Sequence, residues 1–184
     1  MNKAIVNAKV GQRSKSGIAI GPLLPVFLLT LGASVGCEEP DLSLPTSAEI
    51  EGAYTYGGSL SASMNGNVAE ITIVQASRQL QRGGTLWAKV GPFVLLFSKE
   101  TETLFRDYPG LAGVRAITVT PSGAEVARAL LARTTLNDLT WRRSLNIAGL
   151  ARRDGTRRPT LLEDLVEWGE DHTEFIYNPR YTRP

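Results

Sequence analysis

How Val68 to Ser98, VAEITIVQASRQLQRGGTLWAKVGPFVLLFS, is read decides the fold. Val68–Ala76 alternates around Ile71 and Ile73, with Glu70, Thr72 and Gln75 nearby. A period of two marks a strand with one buried face. Arg78–Gly84 is polar and closes on Gly83-Gly84, as a loop would. Thr85–Val90 then reads as a second strand and Phe93–Ser98 as a third. Phe93–Phe97 is continuously apolar, so this strand is expected to be central and covered on both faces. Pro92 has no N–H to donate to a ladder, so Gly91-Pro92 is expected to be a tight turn or a kink in one long strand.

Downstream, Lys99–Tyr108 predicts a helix with Ser98 as its cap, Leu104 and Phe105 facing inward, and Pro109-Gly110 as its end. Val114–Thr120 predicts a fourth strand. Thr120-Pro121 and the pair Ser122 and Glu125 offer two helix starts. Val126, Ala127, Leu130 and Leu131 follow at helical spacing, so a helix is expected as far as Arg133. A further helix is expected from Asn137 to Arg153. It carries Trp141, Leu145 and Ala148 on one face, Leu139, Ile147 and Leu150 beside it, and Asp154-Gly155 at its end. Thr160 and Glu163 form a capping box before a third, with Leu161, Leu165 and Trp168 as its stripe and Leu162 and Val166 widening it. Phe175–Pro184 is aromatic and proline-bearing with no period, an extended tail. Strands first and helices afterwards predict an α+β domain over 67–184: a small, mostly antiparallel sheet of about four strands, then two or three C-terminal helices.

Upstream, residues 38–66 are rich in small and turn residues and predict a tether with a short strand over Ile50–Tyr56. Before them, Lys3, Lys9, Arg13 and Lys15 stand without an acid, and Ile18–Gly36 carries no charge. Gly32, Ala33, Ser34 and Gly36 precede Cys37, the only cysteine. A basic start, an apolar core and small residues make a secretory signal. The end of this run resembles the lipobox of bacterial lipoproteins, with Gly36 before the cysteine, Val35 before that, and Ser34 where the family usually has Leu. The resemblance implies cleavage before Cys37 and lipid on its sulfur. The competing reading retains 18–36 as a transmembrane helix, since at about 1.5 Å per residue the run spans roughly the hydrocarbon core of a bilayer. Its basic end would face the cytoplasm. Both readings anchor the chain to a membrane of the cell envelope, with the body on the outer, periplasmic side.

Removing the leader changes the charge. The chain has 20 basic and 18 acidic residues, and four of the basic ones lie before Cys37, so the remainder carries 16 against 18. That balance gives no case for nucleic acid. With one cysteine, no disulfide forms within the domain. Charge is segregated within the C-terminal half. Residues 126–158 have eight arginines against Asp138 and Asp154, and residues 159–184 have six acids against Arg180 and Arg183. Two readings follow: a helical hairpin whose opposite charges face each other, or an arginine surface (Arg142, Arg143, Arg152, Arg153, Arg157, Arg158) for an acidic partner or anionic lipid.

Catalytic patterns are sparse. His172 is the only histidine, and Asp171, His172 and Glu174 are too close in sequence to converge on one helix face. Zinc would need three carboxylates beside it. There is no G-x-S-x-G elbow and no phosphate-binding glycine loop. No catalytic residue, cofactor or metal is expected. Trp87, Trp141 and Trp168 sit on apolar stripes and are expected in the core. Tyr54, Tyr56, Tyr177 and Tyr181 lie in irregular segments, where tyrosine often makes contacts. The tail 175–184 is therefore a candidate protein-docking segment, with Tyr177, Tyr181, Arg152, Arg153, Arg157 and Arg158 as candidate contact residues. The functional expectation is a membrane-anchored envelope protein with a non-catalytic binding or scaffolding domain. Its alternatives are an accessory subunit of a membrane complex, held by an uncleaved helix, and a hydrolase using His172.

Overall fold

The computed structural model describes residues 42–56 and 58–182. The expected signal or anchor 1–37, with Cys37 and the apolar run 18–36, lies outside them, as does the start of the tether. In order the elements are α1 (Ser47–Ala53), β1 (Leu60–Asn65), β2 (Val68–Val74), α2 (Ser77–Leu96), α3 (Lys99–Asp107), β3 (Gly113–Val119), β4 (Glu125–Ala132), α4 (Asp138–Asp154), α5 (Thr160–His172), β5 (Glu174–Tyr177) and α6 (Pro179–Thr182). The fold is α+β. One five-stranded sheet runs in the order β1-β2-β3-β4-β5, with β2 and β3 parallel and the other neighbours antiparallel. Among the described residues no helix is long and apolar enough to cross a membrane.

The register explains the layers. Ala69, Ile71 and Ile73 of β2 stand beside Val114, Ala116 and Thr118 of β3, and these beside Leu131, Ala129 and Ala127 of β4. All nine are buried, and α2 packs against this face over β3 and β4. Alanines at its centre let the helix approach closely. Gly91 takes that approach further, because a Cβ there would stand 2.8 Å from Thr118 Cγ2. Alternate positions (Glu70, Thr72, Arg115, Ile117, Leu130) point to the opposite face and are only partly covered. There Arg115 pairs with Glu70 on the neighbouring strand.

Several elements differ from the sequence reading, each for a physical reason. The expected strands over 85–90 and 93–98 are one helix, α2, which runs through Pro92 and is kinked at Gly84 (φ 55°, ψ −140°). A helix embedded between a sheet and other helices is apolar nearly all round, so period alone cannot separate it from a buried strand. α2 touches β3, β4, α4, α5 and α6, so Phe93, Leu95, Leu96 and Phe97 are all buried. The expected helix over 120–133 is instead a hairpin strand, β4. Thr120 closes the turn by accepting from Gly123 N–H at its carbonyl (2.8 Å) and from Ala124 N–H at its hydroxyl (3.1 Å). Gly123 sits at φ +83°, a conformation that favours glycine. A register shift between Thr118 and Val119 accompanies burial of both Val126 and Ala127, which had mimicked helical spacing.

Residues 42–66 are not a tether with a strand at 50–56. Thr46 and Glu49 close a capping box on α1, with Thr46 N–H donating to Glu49 Oε2 at 2.7 Å, and Ile50 is wholly buried. The tail does not stand free over its described part: it is a strand and then a short helix. Glu174–Tyr177 completes the sheet beside β4, and Asn178 Nδ2–H ties the chain to the Glu125 carbonyl at 2.7 Å. The Thr160–Glu163 box does not form, because Pro159 holds the N-cap position and makes no side-chain cap bond. The strand at 68–74, the helix at 99–107 with Ser98 as its cap, and the helices from 138 and 160 stand as expected.

Candidate functional site

β2 hands over to α2 at a cavity of about 320 Å³. Its floor is Ile73 and Gln75, at and just past the end of β2. One wall is the middle of α2, with Trp87, Gly91, Val94 and Leu95. The other is the segment Tyr54–Tyr56 between α1 and β1. Ser98 and Glu100 come from the start of α3, and Arg152 from the last turn of α4. Local sequence explains the meeting. Gln75 N–H donates to the Val119 carbonyl (2.8 Å), extending the parallel pair one residue beyond β2. Ser98 caps α3 by accepting from Thr101 N–H at 3.3 Å.

Gln75 is the anomaly of this site. The residue is 2 % exposed. Its Nε2–H donates to the Trp87 carbonyl at 2.7 Å, while its Oε1 is buried with no hydrogen-bond partner, alone in this respect among the described residues. Because the Trp87 carbonyl only accepts, the amide orientation is fixed and Oε1 is the orphan. Burying an acceptor unpaired costs about 1–3 kcal/mol, so such groups are few in native folds. Oε1 lies 3.5 Å from where a Cβ on Gly91 would sit, and Gly91 lines the same cavity.

The tyrosines are held firmly. Tyr54 shares a hydrogen bond of 2.7 Å with Thr101, whose hydroxyl donates to the Leu95 carbonyl at 2.8 Å. Burial pushes the Tyr54 hydroxyl far above its ordinary range, only partly opposed by the bond to Thr101, and the Glu100 carboxylate adds to the rise. Tyr56 donates to the Val74 carbonyl at 3.4 Å, and burial raises its hydroxyl too. These phenols stay neutral and serve as walls.

Two other depressions are lined mainly by charged residues. One, of about 280 Å³, lies on the uncovered sheet face among Arg115, Arg128, Leu130, Glu174 and Ile176. The other, of about 610 Å³, runs between α4 and α5 beside Arg143, Asp164, Glu167 and Asp171. The second is larger, but neither is lined by a residue with a buried unsatisfied group, and mainly charged surface is the default exterior of a domain.

The expected contact residues make different local contacts. Arg152 lines the cavity. Arg153 donates to Asp154 Oδ2 at 2.9 Å, while Arg157 and Arg158 are exposed in the α4–α5 connection. Arg142 turns back to the Asp138 carbonyl (3.3 Å), and Arg143 lies 4.4 Å over the Trp168 ring. Arg143 and Arg152 thus line different depressions. The α4–α5 pair does not rest on facing ions: no ion pair joins the two helices among the described residues. Trp168 Nε1–H donates to Ser144 Oγ at 2.8 Å instead. Tyr177 belongs to the fold. Its ring meets Phe93 edge-on at 6.4 Å, and its hydroxyl donates to Glu170 Oε1 at 3.0 Å. Tyr181, in α6, is half-buried.

His172 stacks on Trp168 with centroids 3.9 Å apart, and its Nδ1–H donates to the Trp168 carbonyl at 2.9 Å. It does not line the cavity. Trp141 and Trp168 are core residues, whereas Trp87, expected there, is a partly exposed cavity wall. Gln75, Glu100 and Trp87 were missed as site residues. Their only sequence signal was a strand ending in a glutamine, which is not distinctive. Comparison with protein-family models, with curated proteins and with solved structures finds no match to the chain.

Proposed function

We propose that the domain is a non-catalytic binding module whose site is the cavity between β2, α2 and the Tyr54–Tyr56 segment. The observation that carries this reading is Gln75, whose Oε1 is buried without a partner and which lines the hollow together with aromatic and apolar side chains and Ser98, Glu100 and Arg152. Largely preformed apolar hollows with a few placed polar groups are how proteins hold small molecules, and about 300 Å³ is the lower end of their range. The ligand is a small, flat, largely apolar molecule that brings an N–H or O–H donor. Indole is a minimal probe. Calorimetric titration should show saturable binding of indole and about five- to tenfold weaker binding of 1-methylindole, which lacks the donor. Val94→Phe, which fills the hollow, should abolish both. Equal affinity for the two probes, or binding unaffected by Val94→Phe, would sink the reading.

For the place of action, the proposal is a cell envelope, with the domain tethered outside the inner membrane through lipid on Cys37. Its support is the sequence alone: a basic start, the uncharged run 18–36 and small residues before the sole cysteine. Intact mass of the purified protein is the test. A diacylglyceryl adduct on Cys37 with residues 1–36 missing is the expected result. An uncut N-terminus would point instead to a retained helix and an accessory role in a membrane complex.

A further inference from the structure

We infer that the ligand of this cavity is amphoteric: an aromatic body with a ring N–H or O–H donor, carrying an ammonium and a carboxylate at its other end, the chemistry of a free aromatic amino acid. The inference rests on the reading of the cavity as a ligand site and adds the charge of what it takes. Its basis is the pair of opposite charges lining the same hollow. Glu100 comes from the first turn of α3 and Arg152 from the last turn of α4. Neither makes an ion pair with any described residue, including the other.

An ordinary explanation exists for each residue type. Acids are favoured in the first turn of a helix and bases in the last, where they face the end charges of the helix dipole. That accounts for one glutamate and one arginine. It leaves open what the two do together, for both line one hollow and neither has an ion-pair partner among the described residues. A neutral ligand would strip water from both charges and return nothing. A ligand with one charge would satisfy one and strand the other, and stranding a covered charge is costly. A dipolar ion satisfies both, with its ammonium toward Glu100 and its carboxylate toward Arg152, which can grip it with two parallel N–H donors. Its ring then lies between Trp87 and Tyr56, with the donor on the side of Gln75, whose amide must turn to offer Oε1.

The test is calorimetric titration of the full chain in mild detergent with indole, tryptamine, indole-3-propionate and tryptophan. Tryptophan should bind tightest, and each single-charge analogue should bind more tightly than indole by about fivefold or less, as expected for partly exposed ion pairs. Arg152→Gln should weaken tryptophan and indole-3-propionate and leave tryptamine and indole unchanged. Glu100→Gln should weaken tryptophan and tryptamine and leave the other two unchanged. Both residues lie at the protein surface or partly so, and circular dichroism confirms that the variants fold. If indole binds but tryptophan binds no tighter, or if either variant shifts all four probes alike, the amphoteric ligand is refuted and the cavity reading stands. If none of the four binds, the cavity reading falls and this inference falls with it.

Discussion

Gln75→Leu should make the domain more stable while weakening its affinity for indole by about fivefold or more. In the native protein the Gln75 side chain makes one good hydrogen bond, to the Trp87 carbonyl at 2.7 Å, and leaves Oε1 buried and unpaired. The bond contributes about 0.5–1.5 kcal/mol and the orphan costs about 1–3 kcal/mol. Leucine removes both terms and keeps most of the volume. The Trp87 carbonyl is not stranded, because helix geometry gives it the Gly91 N–H four residues on. The backbone bond from Gln75 N–H to Val119 is untouched. At the central values, about 2 and about 1 kcal/mol, the difference is a stabilisation of about 1 kcal/mol, read as a higher urea midpoint at unchanged slope. A residue that lowers stability in the free protein and strengthens binding is the mark of a site shaped by its ligand rather than by folding. A loss of more than about 1 kcal/mol at unchanged slope would refute this reasoning, since it would mean that Oε1 is satisfied in solution and that the asymmetry of the two amide atoms has been misjudged.

Arg133→Met should destabilise the domain by about 2–4 kcal/mol in urea titration, because the guanidinium donates to the Leu111 carbonyl at 2.6 Å and to those of Phe105 and Tyr108 at the end of α3, and bonds to charged groups contribute about 1.5–3 kcal/mol each before coupling. Tyr177→Ala should cost about 3–5 kcal/mol and Tyr181→Ala under about 1 kcal/mol, whereas a tail that only docks on a partner would leave both near zero. Thr46→Ala should cost about 1 kcal/mol by opening the capping box of α1, seen as a lower thermal midpoint. Burial raises the hydroxyls of Tyr54 and Tyr177 above their ordinary range, so the folded chain keeps protons that the unfolded chain loses near pH 10; stability should hold below about pH 10 and fall as pH rises past it, and the double change to Phe should flatten that fall in urea midpoints.

Where the sequence pattern was strict, element type was legible. Val68–Val74 alternates because one face is buried and the other is not, and Ser98 or Asn137 before a helix supplies a cap that only a helix start requires. Pattern failed where an element is buried on all sides. α2 has no polar face to reveal its period near Phe93–Phe97, and β4 is built largely of alanine and leucine, whose helical preference is overridden by its place between two strands. The cap of α1 was readable: Thr46 stands three residues before Glu49, the same signature that was recognised at Thr160. It formed at Thr46, where Ile50 gives the helix something to bury. It did not form at Thr160, where Pro159 takes the cap position.

The site was legible only in fragments, because it is made of residues that periodicity assigns to other duties. Arg152 was singled out for its charge and Tyr54 and Tyr56 for lying outside any period, yet nothing in their spacing joins them. The crossover joins them. α2 and α3 link the parallel strands β2 and β3, and that connection leaves the end of β2 facing Trp87 and the start of α3. Pockets of open sheets form where a strand hands over to its crossover helix, and among the described residues there is one parallel pair and so one such handover. The same geometry accounts for Gln75. A residue one step past a strand still pairs through its backbone, and Gln75, buried in step with Ile71 and Ile73, satisfies its amide N–H on α2 while its oxygen is left beside Gly91 without a partner. A leucine at that position would fold at least as well. The amide therefore calls for an explanation outside folding, and a donor arriving in the cavity is the one that the surrounding atoms supply.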